Sequence, residues 1–396
     1  MSISMSAQRI QPSATLAISA QAKAMTAEGI QVINFSAGEP DFNTPDCVIE
    51  AAHQAAQSGQ TGYTPVSGTL SLRQTIARRI DEDWSLTYTP DEIIVSNGAK
   101  QSCSLALLAL INPEDEVIIP APYWVSYPEM VGLANGIPIV IQTTPEHGWQ
   151  LTAQQLNDAI TPRTKMIILN SPSNPTGRHY TPDTLKALAD VLLQHPNIII
   201  LSDDIYDRIY WGNTPLAHLL TVCPELKTRT LMINGVSKAY AMTGWRIGYT
   251  AGPQPIIAAM SRIQSHSTGC PCSISQAASE AAFNQAAPDV HTMLTHFKRR
   301  AEITHTRINS MPYLKLNEIS GTFYAWIDAT HLIQARGLND DITLCQVLLK
   351  HAHIALVPGS AFGSPGYLRL SFALSDDELN QGLDQLAHYI ESTAEH

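Results

Sequence analysis

The middle of the chain alternates between short apolar runs and amphipathic stretches. Runs of Ile, Val and Leu predict buried strands from about Asp91 onward, and segments between them, such as Ala99–Ile111 and Thr181–Gln194, have helical spacing. Strands that are apolar on both sides indicate a largely parallel sheet covered by helices on both faces. The predicted strands are Glu92–Ser96, Glu116–Pro120, Ile137–Gln142, Lys165–Asn170, Asn197–Ser202 and Thr230–Asn234, with a further candidate at Trp245–Ala251.

The final third follows a different pattern, in which long helices lead into mixed helices and strands. A chain of 396 residues is long enough for two domains. We therefore expect a large α/β domain over residues 46–288 and a smaller α+β domain formed by both termini, residues 1–45 and 289–396. In the N-terminal segment a helix is predicted at Thr15–Glu28. In the final third, helices are predicted at Ser273–Gln285, Asp289–Ser310 and Asp341–His351, strands at Thr322–Asp328, Ile354–Val357 and Tyr367–Phe372, and a closing helix from Ser375.

Composition excludes several classes of partner. The formal net charge of -11 argues against nucleic acid, because no basic face is indicated. The N-terminus lacks the pattern of a secretory signal, and no apolar run of about 18 residues predicts a membrane span. The six dispersed cysteines fit reduced thiols, so we expect a cytoplasmic protein. Cys270 and Cys272 are the one close pair, which gives no zinc-site pattern, and no metal is expected.

Polar or glycine-rich sequence follows four of the predicted strands. These segments are Gly98–Lys100, Asn170–Gly177, Asp203–Tyr206 and Ser237-Lys238. In an open parallel sheet the carboxyl ends of the strands lie along one edge, and ligands bind there. The four segments are therefore expected to converge on one site.

Lys238 carries the most specific chemical signal in the chain. A lysine amine forms a Schiff base with an aldehyde, and the segment Gly235–Gly252 around it has only two basic residues and no acidic one. Low charge around a lysine favours its neutral, nucleophilic form. Ser237 and Arg246 are groups that would bind the phosphate of an aldehyde cofactor. The alternative is a solvated surface lysine.

Asp203 and Tyr206 stand just past a predicted strand. An ionised Asp203 would hold the proton of a pyridine nitrogen, although a helix cap or half of a metal-binding Asp pair is also compatible with the pattern. The Tyr206 hydroxyl would donate to the phenolic oxygen of the cofactor, or the ring would simply pack in a half-buried position.

Other candidates also have two interpretations each. Asn174 lies in a stiff Pro-rich loop, either to reach a ligand or as part of a tight turn. Trp124, in the segment Pro122-Tyr123-Trp124 that is predicted to open a helix, would stack on a ring or belong to the core. Arg369, in a strand pattern, would bind a carboxylate or form a surface salt bridge. Gly98 would let helix amides approach a phosphate or make an ordinary turn, and Gly38 would permit close approach of the backbone to a ligand.

Together these pieces resemble the class I aminotransferases, which are fold type I enzymes dependent on pyridoxal 5'-phosphate. The similarity runs over almost the whole chain and is most specific in Ala37–Phe42, Ala121–Met130, Ser171–Gly177 and Ser237–Tyr249. Within that family, the chain looks most like the bacterial aspartate aminotransferase subgroup that includes prephenate-capable members. The resemblance implies a large domain with a mainly parallel seven-stranded sheet flanked by helices, and a smaller α+β domain.

The resemblance also implies roles for individual residues. Lys238 would bond the cofactor aldehyde, and a homodimer with shared active sites would be formed. The other cofactor-binding residues would be Gly98, Ala99, Trp124, Asn174, Asp203, Tyr206, Ser237, Arg246 and, from the neighbouring subunit, Tyr63. The substrate-binding residues would be Gly38, Lys100, Trp124, Asn174 and Arg369.

The expected reaction is ping-pong transamination, with L-aspartate and 2-oxoglutarate giving oxaloacetate and L-glutamate. The alternatives are prephenate or aromatic substrates, or another fold type I enzyme. Asp204, where the motif usually has Glu, and Asn97-Gly98-Ala99, where relatives often have a Gly pair, depart from the family pattern. A cofactor-binding regulator would be expected to have a basic DNA-binding segment, and a nicotinamide enzyme would be expected to have a Gly-x-Gly-x-x-Gly turn. The sequence contains neither feature.

Overall fold

A computed structural model describes residues 3–12 and 14–392 of the chain. Residues 1–2, 13 and 393–396, which belong to the predicted terminal domain, lie outside the described residues. The strands are β1 (Ile33–Asn34), β2 (Ile93–Ser96), β3 (Glu116–Ala121), β4 (Ile137–Gln142), β5 (Thr164–Asn170), β6 (Ile199–Asp203), β7 (Thr230–Gly235), β8 (Gly248–Ala251), β9 (Lys315–Leu316), β10 (Tyr324–Asp328), β11 (Ile354–Ala355), β12 (Val357–Pro358) and β13 (Tyr367–Ser371).

The helices lie largely where the periodicity predicts them. They are α1 (Met5–Arg9), α2 (Ala14–Ala27), α3 (Asp46–Gln57), α4 (Leu70–Trp84), α5 (Ala99–Leu110), α6 (Ser126–Leu133), α7 (Ala153–Ala159), α8 (Pro182–Leu193), α9 (Leu219–Val222), α10 (Gln254–Ser267), α11 (Ser273–Gln285), α12 (Ala287–Ser310), α13 (Thr330–Ala335), α14 (Asp341–Val347) and α15 (Asp376–Ser392). Among the described residues, none of the helices combines the length and the apolar character needed to cross a bilayer.

The large sheet has seven strands in the order β2-β8-β7-β6-β5-β3-β4, and β8 alone runs antiparallel to its neighbours. Successive residues of its strands face opposite sides. Ile167 packs in one core with α4 and α8, while Ile168 packs in the other with α5 and α6. Burial on both faces is the reason for the unbroken Ile/Val/Leu runs in the sequence. The predicted fold class, a mainly parallel seven-stranded sheet flanked by helices, is confirmed.

Several predicted elements begin two or more residues later than expected, and two of these cases bear on the site described below. The strand expected at Trp245–Ala251 begins only at Gly248, because Arg246 has a left-handed backbone with φ 56° that breaks the extended run. The helix expected to open at Pro122-Tyr123-Trp124 begins at Ser126, after a cis peptide bond between Ala121 and Pro122. Arg246 and Trp124, which lie in these two loops, line the cavity described below.

Both ends of the chain meet in a second, smaller body. β1 pairs in parallel with β11, and a separate antiparallel sheet has the order β12-β13-β10-β9. The long helix α12 covers these strands with an apolar stripe at helical spacing, from Met293 through Phe297 to Ile308. This arrangement agrees with a terminal domain, although its boundaries at residues 45 and 289 stay predictions.

Candidate active site

A cavity of about 530 Å³ opens where the carboxyl ends of β5, β6 and β7 face α2, β10 and β13. The strand register places Asn170 beside Asp203, and Asp203 beside Ile233. All the residues predicted for cofactor or substrate binding line this cavity except Gly98 and Tyr63. Those that line it are Gly38, Ala99, Lys100, Trp124, Asn174, Asp203, Tyr206, Ser237, Lys238, Arg246 and Arg369.

Lys238 lies three residues past the end of β7. Its Nζ donates a hydrogen bond to the carbonyl oxygen of Gly38, from the small body, and lies 5.8 Å from the ring centroid of Phe323. Burial lowers the pKa of Lys238 to about 8, and the positive charge of Arg369 contributes to the same shift. A substantial fraction of this amine is therefore neutral near pH 8 and able to act as a nucleophile or base.

Asp203 is the last residue of β6 and is 3% exposed. Its Oδ2 accepts a hydrogen bond of 2.6 Å from the Tyr127 hydroxyl, and its Oδ1 accepts one of 3.3 Å from the Ile205 amide. Burial raises the pKa of Asp203 to about 6, while the hydrogen bond from Tyr127 opposes the rise. A buried carboxylate of this kind needs a cationic partner, and a protonated pyridine nitrogen is one.

Tyr206 is buried against the small body rather than loosely packed. Its hydroxyl lies 3.1 Å from that of Tyr324 on β10. Burial raises the pKa of Tyr206 well above its usual value, so its hydroxyl keeps the proton that it would donate to a cofactor oxygen. The side chain therefore fits the role that the sequence suggests.

One end of the cavity is shaped for a phosphate. Gly98 (φ 88°) precedes α5, and a Cβ there would lie 2.3 Å from Nη2 of Arg246. A Cβ on Gly248 would lie 2.2 Å from the amide nitrogen of Ala99. The two glycines thus let Arg246 and the start of α5 come together beside Ser237, and a helix N-terminus with an arginine and a hydroxyl is an anion-binding arrangement. These residues fit the phosphate of pyridoxal phosphate.

Arg369 is buried without an acidic partner. Its Nη1 donates to Oδ1 of Asn174 at 3.1 Å and its Nη2 to the carbonyl of Ser36 at 2.9 Å, but its Nε has no partner among the described residues. The guanidinium carbon lies 4.3 Å from the ring centroid of Tyr324. None of the ion pairs between described residues includes Arg369. Because a buried charge is costly without a partner of opposite sign, this guanidinium is suited to bind the anionic group of a ligand.

Lys100 lies on another wall of the same cavity. Its Nζ is 4.9 Å from the ring centroid of Trp124, which in turn makes an edge contact with Tyr127 at 5.3 Å. Partial burial and the nearby charge of Arg246 lower the pKa of Lys100. Besides Lys238 and Arg246, the cavity therefore presents Lys100 and Arg369, and neither forms an ion pair with an acidic group of the cavity.

Tyr63 lies outside the cavity of its own chain. The side chain is fully exposed. Tyrosine is enriched at surfaces that another protein subunit covers. This position would allow Tyr63 to contact the active site of a neighbouring subunit.

Two functional side chains escape prediction from the sequence. Tyr127, which donates to Asp203, lies at the start of α6, three residues after Trp124, and its closeness to that candidate is a signal that could have found it. Tyr324, which faces both Tyr206 and Arg369, comes from a strand more than 100 residues away. Only the tertiary fold brings it to the site.

Comparison with known proteins points to one family. Residues 30–386 match the family model described as aminotransferase class I and II. The aspartate/prephenate aminotransferase of Nitrosomonas europaea is 46% identical over 393 residues, covering 98% of this chain and 99% of that protein. The aspartate aminotransferase of Geobacillus stearothermophilus is 43% identical and covers 97% of each chain.

Solved structures agree over the whole fold. The crystal structure of the aspartate aminotransferase from Rhizobium meliloti has a TM-score of 0.94 at 41% identity and covers 99% of each chain. The aspartate aminotransferase from Thermus thermophilus with maleate has a TM-score of 0.93 at 37% identity, covering 98% of this chain and 99% of that one.

Proposed function

The chain belongs to the class I and II aminotransferases, and we propose that it transfers the amino group of L-aspartate to 2-oxoglutarate, giving oxaloacetate and L-glutamate. The family uses pyridoxal 5'-phosphate, and the cavity fits that cofactor at three points: the amine of Lys238, the carboxylate of Asp203 and the anion site beside Arg246. When bound, the cofactor supplies an electron sink that stabilises negative charge at the substrate Cα.

Lys238 is the base of the proposed reaction. With pyridoxal phosphate bound, the amine of Lys238 would remove the proton from the substrate Cα and would later return a proton. The depressed pKa, about 8, keeps the free amine near the operating pH, which is the condition for efficient proton transfer in both directions. The contact with the Gly38 carbonyl places the amine at the boundary between the two bodies.

The remaining residues orient the reactants. Asp203, held by Tyr127, keeps the pyridine nitrogen protonated, while Tyr206 and Asn174 would donate to the ring oxygen. Arg369 binds the α-carboxylate of the substrate through its free Nε and an Nη group. Trp124, which lines the same cavity, would stack on the cofactor ring.

The main support for a dicarboxylate substrate is the presence of two cations, Arg369 and Lys100, in one cavity. Arg369 and Lys100 both lack an acidic partner, and a four- or five-carbon dicarboxylate would satisfy both. The Thermus thermophilus relative solved with maleate, a four-carbon dicarboxylate, supports the same class of ligand.

Prephenate is the second candidate substrate. The relative from Nitrosomonas europaea is named an aspartate/prephenate aminotransferase. Prephenate also carries two carboxylates, so the same two cations would serve it. The cavity volume of about 530 Å³ leaves room for its ring.

A panel of amino donors and oxo acids tests the proposal. We expect the highest kcat/KM with aspartate and 2-oxoglutarate, and a lower value with aromatic donors. Replacing Lys100 by Met should reduce kcat/KM for aspartate far more than for phenylalanine, since only aspartate has a distal carboxylate. Equal losses for both donors would contradict the role of Lys100.

We also propose that two copies of the chain form a homodimer in which Tyr63 of one copy reaches the phosphate site of the other. The full exposure of Tyr63 and its absence from its own cavity support this arrangement. A cytoplasmic location stays a prediction from the sequence.

A further inference from the structure

Directly behind Asp203 lies a second buried carboxylate that the reaction above does not use. Asp204 is 3% exposed, like Asp203, but it points to the opposite face of the sheet, away from the cavity. Its backbone amide donates to the carbonyl of Ile233 at 2.8 Å, which ties it to β7. Its Oδ1 accepts a hydrogen bond of 2.8 Å from the hydroxyl of Ser202.

His218 completes the surroundings of this carboxylate. Nε2 of His218 lies 3.2 Å from Oδ2 of Asp204, and His218 is itself 3% exposed. On the other side of the ring, Nδ1 accepts a hydrogen bond of 3.1 Å from the amide of Leu220, at the start of α9. The imidazole therefore bridges a helix N-terminus and a buried acid.

The amide of Leu220 decides the charge of the pair. Because a backbone N–H points at Nδ1, that nitrogen must present its lone pair, and the ring proton sits on Nε2. A second proton on Nδ1 would face the N–H of Leu220 and break the cap. His218 therefore stays neutral and donates to Asp204, and the pair retains one full negative charge.

Burying a charge without a cationic partner is costly, so the fold must hold it with donors. Asp204 receives two side-chain donors, one from Ser202 and one from His218. A neutral histidine and a serine stabilise the anion without cancelling it. The negative charge is thus maintained one residue away from Asp203.

We infer that the Asp204–His218 pair is a positioning device that keeps a fixed negative charge behind Asp203 and so strengthens the hold of Asp203 on the proton of the cofactor ring nitrogen. The inference rests on the proposed function, since it concerns the cofactor that Lys238 would bond. Neither Asp204 nor His218 touches the cavity, so their effect must act through Asp203.

Other groups also act on the two carboxylates. Lys238 faces Asp203 across the cavity, and Cys103 of α5 places its sulfur 4.0 Å from Oδ2 of Asp203. The Tyr127 hydroxyl of α6 contributes the hydrogen bond described above, and Tyr206 lies close on the cavity side. Of these four groups, Lys238 is the only basic one, and in the holoenzyme its amine is taken up by the cofactor.

Besides His218 and Asp203, two titratable groups interact with Asp204, and neither is basic. Asp207 and the buried Tyr88 both feel its charge. Arg208 is directed to Asp83 instead, with which it forms an ion pair. No neighbour among the described residues neutralises Asp204, so the charge that reaches Asp203 is that of the carboxylate itself.

The test uses the holoenzyme reconstituted with pyridoxal phosphate that carries ¹⁵N in its ring. The ¹⁵N chemical shift reports whether the ring nitrogen is protonated, and it is followed against pH. In Asp204→Asn we expect the midpoint for loss of the ring proton to fall by about one pH unit, the size expected for one nearby buried charge. His218→Ser, whose hydroxyl can still cap Leu220, should shift the midpoint in the same direction by less.

Two controls separate this effect from simple destabilisation. Asp341→Asn removes a buried carboxylate of the small body, held by Ser360, and should lower stability without moving the ring-nitrogen midpoint. In the double variant Asp204→Asn/His218→Ser, the histidine change should add nothing, because it acts only through the charge already removed.

An unchanged midpoint in folded Asp204→Asn, or a shift of the same size in Asp341→Asn, would overturn the inference. So would an unchanged midpoint in His218→Ser, which serves as the test if Asp204→Asn does not fold. Peptide mapping of the cofactor in each variant keeps the two proposals apart: a label on Lys238 with an unmoved midpoint leaves the aminotransferase site intact and removes only the role of Asp204.

Discussion

Nη1 of Arg369 donates to Oδ1 of Asn174 at 3.1 Å, which joins the strand β13 of the small body to the loop that follows β5 of the large sheet. The contact leaves Nε of Arg369 without a partner and orients the guanidinium into the cavity. A substrate carboxylate bound there would touch both bodies. Substrate binding and the relative position of the two bodies are therefore linked through this pair.

Replacing Arg369 by Lys should reduce kcat/KM for aspartate by thirtyfold or more, because a bidentate charged contact contributes about 2 kcal/mol. Most of this loss should appear as an increase in KM. The matched control is Arg336→Lys, since Arg336 also donates to backbone carbonyls, those of Tyr389 and Ile390, but lies outside the cavity. Equal kinetics for the two variants would remove Arg369 from the substrate site.

Asp203→Asn should stabilise the apoenzyme while abolishing most of its activity. The folded-state pKa of Asp203, about 6, lies above the value of about 3.8 for an unfolded chain, so ionisation of this group opposes folding as the pH rises through that window. At pH 8 the variant should gain about 3 kcal/mol of unfolding free energy, because each pKa unit corresponds to about 1.4 kcal/mol, and most of the gain should be lost by pH 4. Urea unfolding at both pH values measures it.

A gain that persists at pH 4 would show that the effect of Asp203→Asn does not come from the carboxylate charge. Asp204→Asn offers no equivalent gain, because Asp204 has two side-chain donors that would be left facing an amide.

Gly248→Ala should weaken cofactor binding at least tenfold. The added Cβ would lie 2.2 Å from the Ala99 amide nitrogen and must push the start of α5 away from Arg246, a strain of about 1–3 kcal/mol. Gly244→Ala is the control from the same segment, because no atom lies within 4 Å of the corresponding Cβ. Dissociation constants for pyridoxal phosphate, from fluorescence titration of the apoenzymes, should separate the two variants. Equal affinities would contradict the phosphate site.

Much of this architecture can be predicted from the sequence, because strands that are buried on both faces appear as unbroken apolar runs. Ile137–Gln142 matches the observed strand at both ends, and the helix Ser273–Gln285 does too. Prediction fails where a single backbone angle breaks a pattern, as at Arg246, where φ is 56°. Apolar character alone does not report a left-handed residue.

Some residues of the candidate site can likewise be predicted from the local sequence, and others cannot. Lys238, Asp203 and Arg246 follow strands or glycines, so local sequence marks them as candidates. Tyr324 carries no such mark, because its relation to Tyr206 depends on how the small body packs against the large sheet. The bond between His218 and Asp204 spans fourteen residues of irregular chain, and nothing in either segment predicts it.

Tyr63 allows a complementation test of the shared site. A Tyr63→Ala chain and a Lys238→Ala chain should each have little activity alone. In a mixed dimer, one site would combine the intact Lys238 of the first chain with the intact Tyr63 of the second, and activity should return to about a quarter of the wild-type value after random mixing. The absence of recovery in verified mixed dimers would place Tyr63 outside the partner's active site.

The bond between Lys238 and the cofactor is the central claim, and borohydride reduction of the holoenzyme tests it most directly. Reduction followed by peptide mapping should place a pyridoxyl group on the peptide that contains Lys238, and Lys238→Ala should carry no label and show no turnover. The nearby Lys100, which lines the same cavity, serves as the internal control and should remain unmodified. A label on Lys100 or on any other peptide, or a protein that binds no cofactor, would contradict the account.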